Sequence, residues 1–372
     1  MPMTRLYTRW KPFVLALLLL LSVPTAAAQD GATPQPLPSS ARLNSATLTH
    51  VYQTWNNCGG ANLTMALSYF GWTADQDVAR AWLKPDVEDK NVSPWELVGY
   101  VNQAQTTLPN VRAIWRFGGD MDVIKRAVVA GFPIIIESGF DVEDLGWMGH
   151  YETVVAYDDT AQQVWIYDSY LGANITHSYD DLLSWWRHFD NAFVLLYPAD
   201  RAEEVKAVLG PSLNPSEAAR TALERARAQA TADQSDSWAW FDMGTSYVKL
   251  GDYGSAALAF DKAFQLGMPY RTTWYQFAPF EAYYHVGRYD DVLTLVANTE
   301  ATTVYVEELY YWRGAVYAQQ GAVDQAMAEL NHALSFNPNF YEAQQLIAAL
   351  QAGTFSPDAV HLRGFVPTSS AS

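Results

Sequence analysis

"YQTWNNCGGANLTMALSYFG", Tyr52 to Gly71, holds the single cysteine of a 372-residue chain, Cys58, at the mouth of a helical pattern. Leu63, Ala66, Leu67 and Phe70 recur at i, i+3, i+4 and i+7, which predicts one apolar face of a helix from about Gly59 to Gly71. A lone cysteine cannot close an intrachain disulfide. It is a packed core residue, a site for pairing with another chain, or a reactive thiol. Its position favours the last, because a helix N-terminus stabilises a thiolate. Gly59 and Gly60 are expected to let the backbone turn tightly there. The Cys58 amide then becomes a donor to a developing oxyanion, and Gln53, five residues earlier, is the candidate second donor.

The rest of the chain can be asked what such a thiol serves. Arg5, Arg9 and Lys11, the apolar run Phe13 to Val23 and the small residues before Gln29 read as a signal peptide over 1–28. The alternative is an uncleaved N-terminal anchor; either way the bulk of the chain is expected to be secreted or extracytoplasmic. Exported proteins commonly use disulfides, so the lack of a second cysteine weakens a structural role for Cys58. No later stretch approaches membrane-spanning length. The formal charge of −17 argues against nucleic acid as a partner, since phosphates need a basic footprint. With 14 Trp and 22 Tyr, large cores are available.

A Pro- and Ser-rich stretch makes 29–44 a flexible leader. From 45 to 198, helix signals come first, including Ser93-Pro94 with Glu96 as a capping box, and Asp120 to Gly131. Short β-rich runs follow: "FPIIIESGF", "HYETVVAYD", "QVWIYDSY" and "NAFVLLYP". The pattern predicts an α+β domain with a largely antiparallel sheet. Residues 199–233 read as a helical linker, broken at Gly210-Pro211, which is expected to make the remainder separable.

Beyond it the chain repeats itself. Gly244, Tyr247, Gly251, Ala256, Phe260 and Ala263 match Gly314, Tyr317, Gly321, Ala326, Leu330 and Ala333. A weaker unit with Phe280, Tyr283, Gly287 and Tyr289 lies between, at offsets of 36 and then 34 residues. This resembles tetratricopeptide repeats, in which small residues let paired helices approach and each pair is covered by the next. The repeats span 234–351 with a final capping helix, and 352–372 is a tail. Such an array implies a protein partner on the repeat groove.

A nucleophilic thiol needs a base and a group to orient it. Of seven histidines, His285 and His332 read as surface or packing residues of repeat helices, and His361 falls in the tail. His150 opens a strand, and Asp168 ends the next. If Asp158 pairs with Gln162, His150 pairs with Tyr170 and shares a face with Asp168, one diagonal step away. That requires an odd-length connection, because side chains alternate; Asp158 or Asp159 are the alternative orienting groups. Asp141, Glu143 and Asp144 have poor spacing for calcium and read as a solvated loop. Neither a metal site nor a cofactor is expected.

"QTWNNCGGANLTMALSYFG", "GHYETVVAYDD" and "VWIYDSYLG" together resemble the double-glycine leader peptidase family, papain-like cysteine peptidases best known as N-terminal domains of bacteriocin exporters. The resemblance covers about 45–198. It implies Cys58 as nucleophile, His150 as general base, Asp168 as the orienting acid and Gln53 in the oxyanion hole, with a peptide or protein substrate in the cleft. Departures are Cys-Gly-Gly at the nucleophile, Asp168-Ser169 where Asp-Pro is common, and a glutamine one residue closer to the cysteine. The expected activity is a cysteine peptidase. A non-catalytic peptide-binding scaffold and a thiol acyltransferase are the alternatives.

Overall fold

The computed structural model describes residues 36–365; the signal-peptide reading of 1–28 and most of the leader lie outside the described residues. Among these, seven strands form one antiparallel sheet: β1 (Ser40–Arg42), β2 (Val111–Arg116), β3 (Ile134–Val142), β4 (Gly146–Asp158), β5 (Gln163–Asp168), β6 (Gly172–Ser178) and β7 (Phe193–Pro198). Their order is β2-β7-β3-β4-β5-β6, with β1 beside β4. The α+β reading of the sequence is correct. Ile134, Ile135 and Ile136 are all fully buried because β3 is covered on both faces. Ile134 and Ile136 pack with the helix Met121–Ala130, and Ile135 with the helix Cys58–Ser68.

The helix that starts at Cys58 is not amphipathic in its setting. Every residue from Gly59 to Ser68 is buried, so it is a central helix enclosed on all sides. It stops at Ser68, and Gly71 at φ +95° turns the chain away.

The β4–β5 hairpin departs from the expected turn in an instructive way. Asp158 pairs with Gln163, so the connection has four residues, an even number. Side-chain alternation alone would then put His150 and Asp168 on opposite faces. A β-bulge at Val155 adds one residue to β4 and corrects this: Val154 pairs with Ile166, and Glu152 with Asp168. The bulge has a local cause. β4 pairs with β3 as far as Val154 and with β1 from Ala156 onward, and the Val155 carbonyl between them accepts from Leu43 N at 2.8 Å.

The C-terminal region consists of helix pairs Ser237–Lys249/Tyr253–Leu266, Ala278–His285/Tyr289–Glu300 and Glu307–Gln319/Val323–Phe336, then the cap Tyr341–Ala352. The repeated small and large residues meet as their spacing implies. A Cβ on Gly244 would lie 2.6 Å from the Phe260 ring. From Leu37 onward the chain is one compact unit. The Gly210-Pro211 break is therefore a local turn and does not free the repeats. Trp238 stacks on His188 at 4.2 Å, Arg187 pairs with Asp236 at 2.6 Å, and Lys90 N donates to Tyr305 O at 3.0 Å.

Candidate active site

The loop before Cys58 is held from below by two buried side chains. The Gln76 amide oxygen accepts from Thr54 N at 3.0 Å and Asn57 Nδ2 at 2.8 Å, while its nitrogen donates to Tyr52 O at 2.7 Å. Lys84 Nζ donates to Asn56 O at 2.5 Å and Asp89 O at 2.8 Å. Asn56 sits at φ +52°, a left-handed position beside the nucleophile candidate. Cys58 is the first helical residue, so its amide belongs to the turn that has no partner within the helix. Gly60 is needed for space rather than for turning: a Cβ there would come within 2.5 Å of Asn57 Oδ1.

The structure brings Cys58, His150 and Asp168 together. His150 Nε2 lies 3.0 Å from Asp168 Oδ1, and Cys58 lines the same cavity as His150. Burial would push the Cys58 thiol up, but the hydrogen bond and charge of His150 outweigh it, helped by the Tyr151 amide and Lys84, and the thiol lies below its ordinary value. Burial opposes a charged His150, yet its bonds to Asp168 and Cys58 raise it to about 10. Asp168 is fully buried, which would raise it. The His150 bond and the Tyr170 and Leu171 amides, at 2.6 and 2.9 Å, hold it below the usual range. Three opposed charges thus support one another inside the domain. Phe140 covers the His150 ring, with centroids 4.8 Å apart.

Gln53 is anchored beside these three residues rather than among them. Its amide N donates to Ser169 O at 2.8 Å, and its Oε1 accepts from Ser169 Oγ at 2.8 Å, which leaves Nε2 as its outward donor. Ser169 is thus what makes up for the missing proline: its hydroxyl positions the glutamine. Asp158 and Asp159 cap the hairpin turn and bond Thr160 N and Lys125, far along the strand from His150.

Three contributors escaped the sequence reading. Asn62, one turn after Cys58 and fully buried, donates to Cys58 O at 3.1 Å, Tyr151 O at 2.6 Å and Ser169 Oγ at 3.1 Å, and accepts from Thr153 Oγ1 at 2.8 Å. One amide ties the three sequence motifs together. Its signal was an amide side chain at i+4 from the cysteine, within a helix whose neighbours are small or apolar apart from Thr64 and Ser68. Glu137, a lone acid in the apolar run "PIIIE", is buried beside Cys58 and pushed well above the carboxylate range by burial and the nearby thiolate. Tyr275 comes from the segment between the first two helix pairs, where the repeat offset is 36 rather than 34. With Glu137, Cys58, His150, Tyr151 and Lys84, it encloses a cavity of about 20 Å³, roughly one water. Beside it, Arg271 clamps the β3–β4 turn through Leu145 O.

The model of the Peptidase_C39 like family matches residues 45–197, and the tetratricopeptide repeat model matches 239–266 and 307–340. No curated protein matches. Among solved structures, MamA is 18% identical, with 40% of this chain and 82% of that one covered at TM-score 0.33. The peptidase domain of Streptococcus ComA, a bi-functional ABC transporter involved in a quorum sensing pathway, is 16% identical, with 41% and 98% covered at TM-score 0.32. Among the described residues no helix is long and apolar enough to cross a membrane. Residues 45–197 are a Peptidase_C39-like domain, and tetratricopeptide repeats follow it in the same chain.

Proposed function

We propose that the protein is an exported cysteine peptidase that cleaves peptide bonds with Cys58, and that its repeats recruit a protein partner. The observation that carries this reading is the buried His150–Asp168 bond beside Cys58, whose thiol that histidine lowers against burial. Cys58 attacks the scissile carbonyl as thiolate. His150, already protonated, delivers its proton to the leaving amine and then takes one from the water that hydrolyses the thioester. Asp168 keeps the ring oriented and charged. The Cys58 amide and Gln53 Nε2 stabilise the oxyanion. Buried Glu137, kept neutral, faces the same cavity and adds no competing negative charge.

The size of that cavity favours a second reading. Space for about one water beneath Tyr275 does not admit a peptide in this arrangement. Turnover therefore requires the 267–277 segment to move, and a chain in which it never moves is a peptidase fold that only binds partners. Iodoacetamide alkylation of Cys58, read by mass across pH, tests the first reading. Fast reaction near pH 6 and cleavage of a peptide library, both absent in Cys58→Ala, are expected. Reaction that rises only above pH ~8, without turnover, would establish the binding module instead. Added amines appearing in the product would mark acyl transfer.

A further inference from the structure

Glu281 is fully buried in the helix Ala278–His285, a site where a carboxylate is costly unless a cation meets it. His285 follows one turn later, on the same face of that helix. His361 enters from the C-terminal tail. One ligand-type atom from each of the three lies within 4.8 Å of the other two. We propose that Glu281, His285 and His361 bind one divalent metal ion of the zinc class, which fastens the tail to the repeats.

The orientation of the two imidazoles carries the proposal. His285 Nε2 meets Val360 O at 2.8 Å, and His361 Nε2 meets Asp358 O at 2.8 Å. A main-chain carbonyl can only accept, so each Nε2 carries a hydrogen; in the neutral ring Nδ1 then holds a lone pair, and in the protonated ring it carries a second hydrogen. This is the arrangement in which metal-binding histidines are held by their second nitrogen. At His361, Nδ1 faces Glu281 Oε1 at 2.7 Å. A lone pair and a carboxylate oxygen so close need a cation between them, a proton or a metal. The two rings are stacked at 4.6 Å, and Tyr253 stacks on His285 at 4.3 Å, so little rotational freedom remains to be lost on binding.

Zinc bonds of ~2.0–2.2 Å set tetrahedral ligands about 3.3 Å apart. Small side-chain rotations would bring the atoms, now within 4.8 Å of one another, to that value, opening the 2.7 Å His361–Glu281 contact as the wider ones close. Two imidazoles with one carboxylate suit zinc and its neighbours in the series, not calcium or magnesium. Both histidines are partly exposed, which leaves a path of entry and room for a water ligand. The ion would fasten more than a tail. Leu362 is buried in the repeat core, and Phe365 packs on Trp95 of the peptidase domain at 5.6 Å. The tail thus joins the two halves.

The test uses the full chain as Cys58→Ser, so that the Cys58–His150 pair cannot supply a competing thiolate site. After chelation, zinc is titrated calorimetrically and cobalt by its visible absorption. One equivalent binding at micromolar concentration or tighter, with a rise in Tm at saturation, is expected. His285→Gln leaves the Glu281–His361 bond in place and should keep the fold, as near-UV circular dichroism would register, while weakening zinc binding roughly tenfold or more. Absence of stoichiometric zinc and cobalt binding, binding only at millimolar metal, or unchanged affinity in His285→Gln would overturn the site. His361→Gln should lose binding too; if that variant unfolds, His285→Gln alone decides.

Discussion

Partly buried Cys58 and buried His150 meet as opposite charges that hold each other, whereas Asp89, Glu96, Glu307 and Glu308, where the repeats meet the peptidase domain, are buried as four groups of one sign. At the first place burial is overcome, and both partners are kept ionised. At the second it wins. Burial first, then the neighbouring carboxylates, push Asp89 and Glu308 well above their ordinary range, and raise Glu96 to about 8. Neutral amides bridge the junction instead: Asn91 Nδ2 donates to Glu308 Oε1 at 3.0 Å, and Asn337 Nδ2, which bonds Glu307 Oε1 at 3.0 Å, also reaches Leu83 O at 3.3 Å. Lys84 stands between the two places, near both Cys58 and Asp89. The contrast teaches that the thiol site is built to stay charged, and the junction to stay protonated. Rising pH should strain the second long before the first.

The sharpest way to break the contrast is to remove one charge from the pair. His150→Ala should slow alkylation of Cys58 at pH 6 by roughly a hundredfold, since the thiol reverts toward ~8.5 or above, with the Tm profile of the junction against pH unchanged. In the intact protein alkylation should be fast and nearly independent of pH from about 6 upward, because the thiol is already ionised beside a His150 raised to about 10. A thiol indifferent to His150 would show that the pair does not hold charge.

Asn62→Ala asks whether the pair depends on its mounting. Four buried hydrogen bonds lose their common partner, so a stability loss of about 2–3 kcal/mol is expected by chemical denaturation. Alkylation should slow as well, because the helix and the β4–β5 hairpin are no longer tied. Asn62→Ala that destabilises the chain with full thiol reactivity would confine Asn62 to folding.

At the junction the sign is opposite. A carboxyl whose folded value is raised stabilises the fold fully below its unfolded value of ~4.3 and loses that contribution as pH climbs to the folded value. The protein should therefore be less stable at pH 8 than at pH 5. Glu308→Gln should recover about 1–2 kcal/mol at pH 8 and almost nothing at pH 5, read from Tm at the two values. Equal effects at both would mean that Glu308 is ionised throughout. Tyr275→Phe gives the smallest effect. It removes a hydroxyl beside Cys58, should cost no more than about 1 kcal/mol, and should leave alkylation by small reagents unaltered. A large change in thiol reactivity would bring that hydroxyl into the chemistry.

Cys58, His150 and Asp168 were legible because each stands in a short motif whose local structure is decided by neighbours in sequence. The repeats were legible because their period restates one packing rule. The middle helix pair, with Val292 and Val296 at the usual Ala and Phe positions, still buries both residues. What was not legible depends on contacts far apart in the chain. Glu307 and Glu308 lie in the first turn of their helix, and only the packing of distant segments buries them. Tyr275 shows its purpose only when the segment after Leu266 is laid against Gly149. β1, within the stretch read as leader, gains its pairing from the exposed edge of β4, and β2 and β6 lack the strongly apolar runs of the central strands.

The bulge at Val155 has a consequence for how this chain tolerates change. It acts as a phase corrector between a turn of even length and a site that needs odd parity. Lengthening the 159–162 turn by two residues would leave His150 and Asp168 in step, whereas adding one would rotate Asp168 to the other face unless the bulge were deleted at the same time. Insertions here should be inherited in pairs, or together with a compensating loss a few residues upstream. The turn is thereby free to drift in sequence while His150 keeps its bond to Asp168.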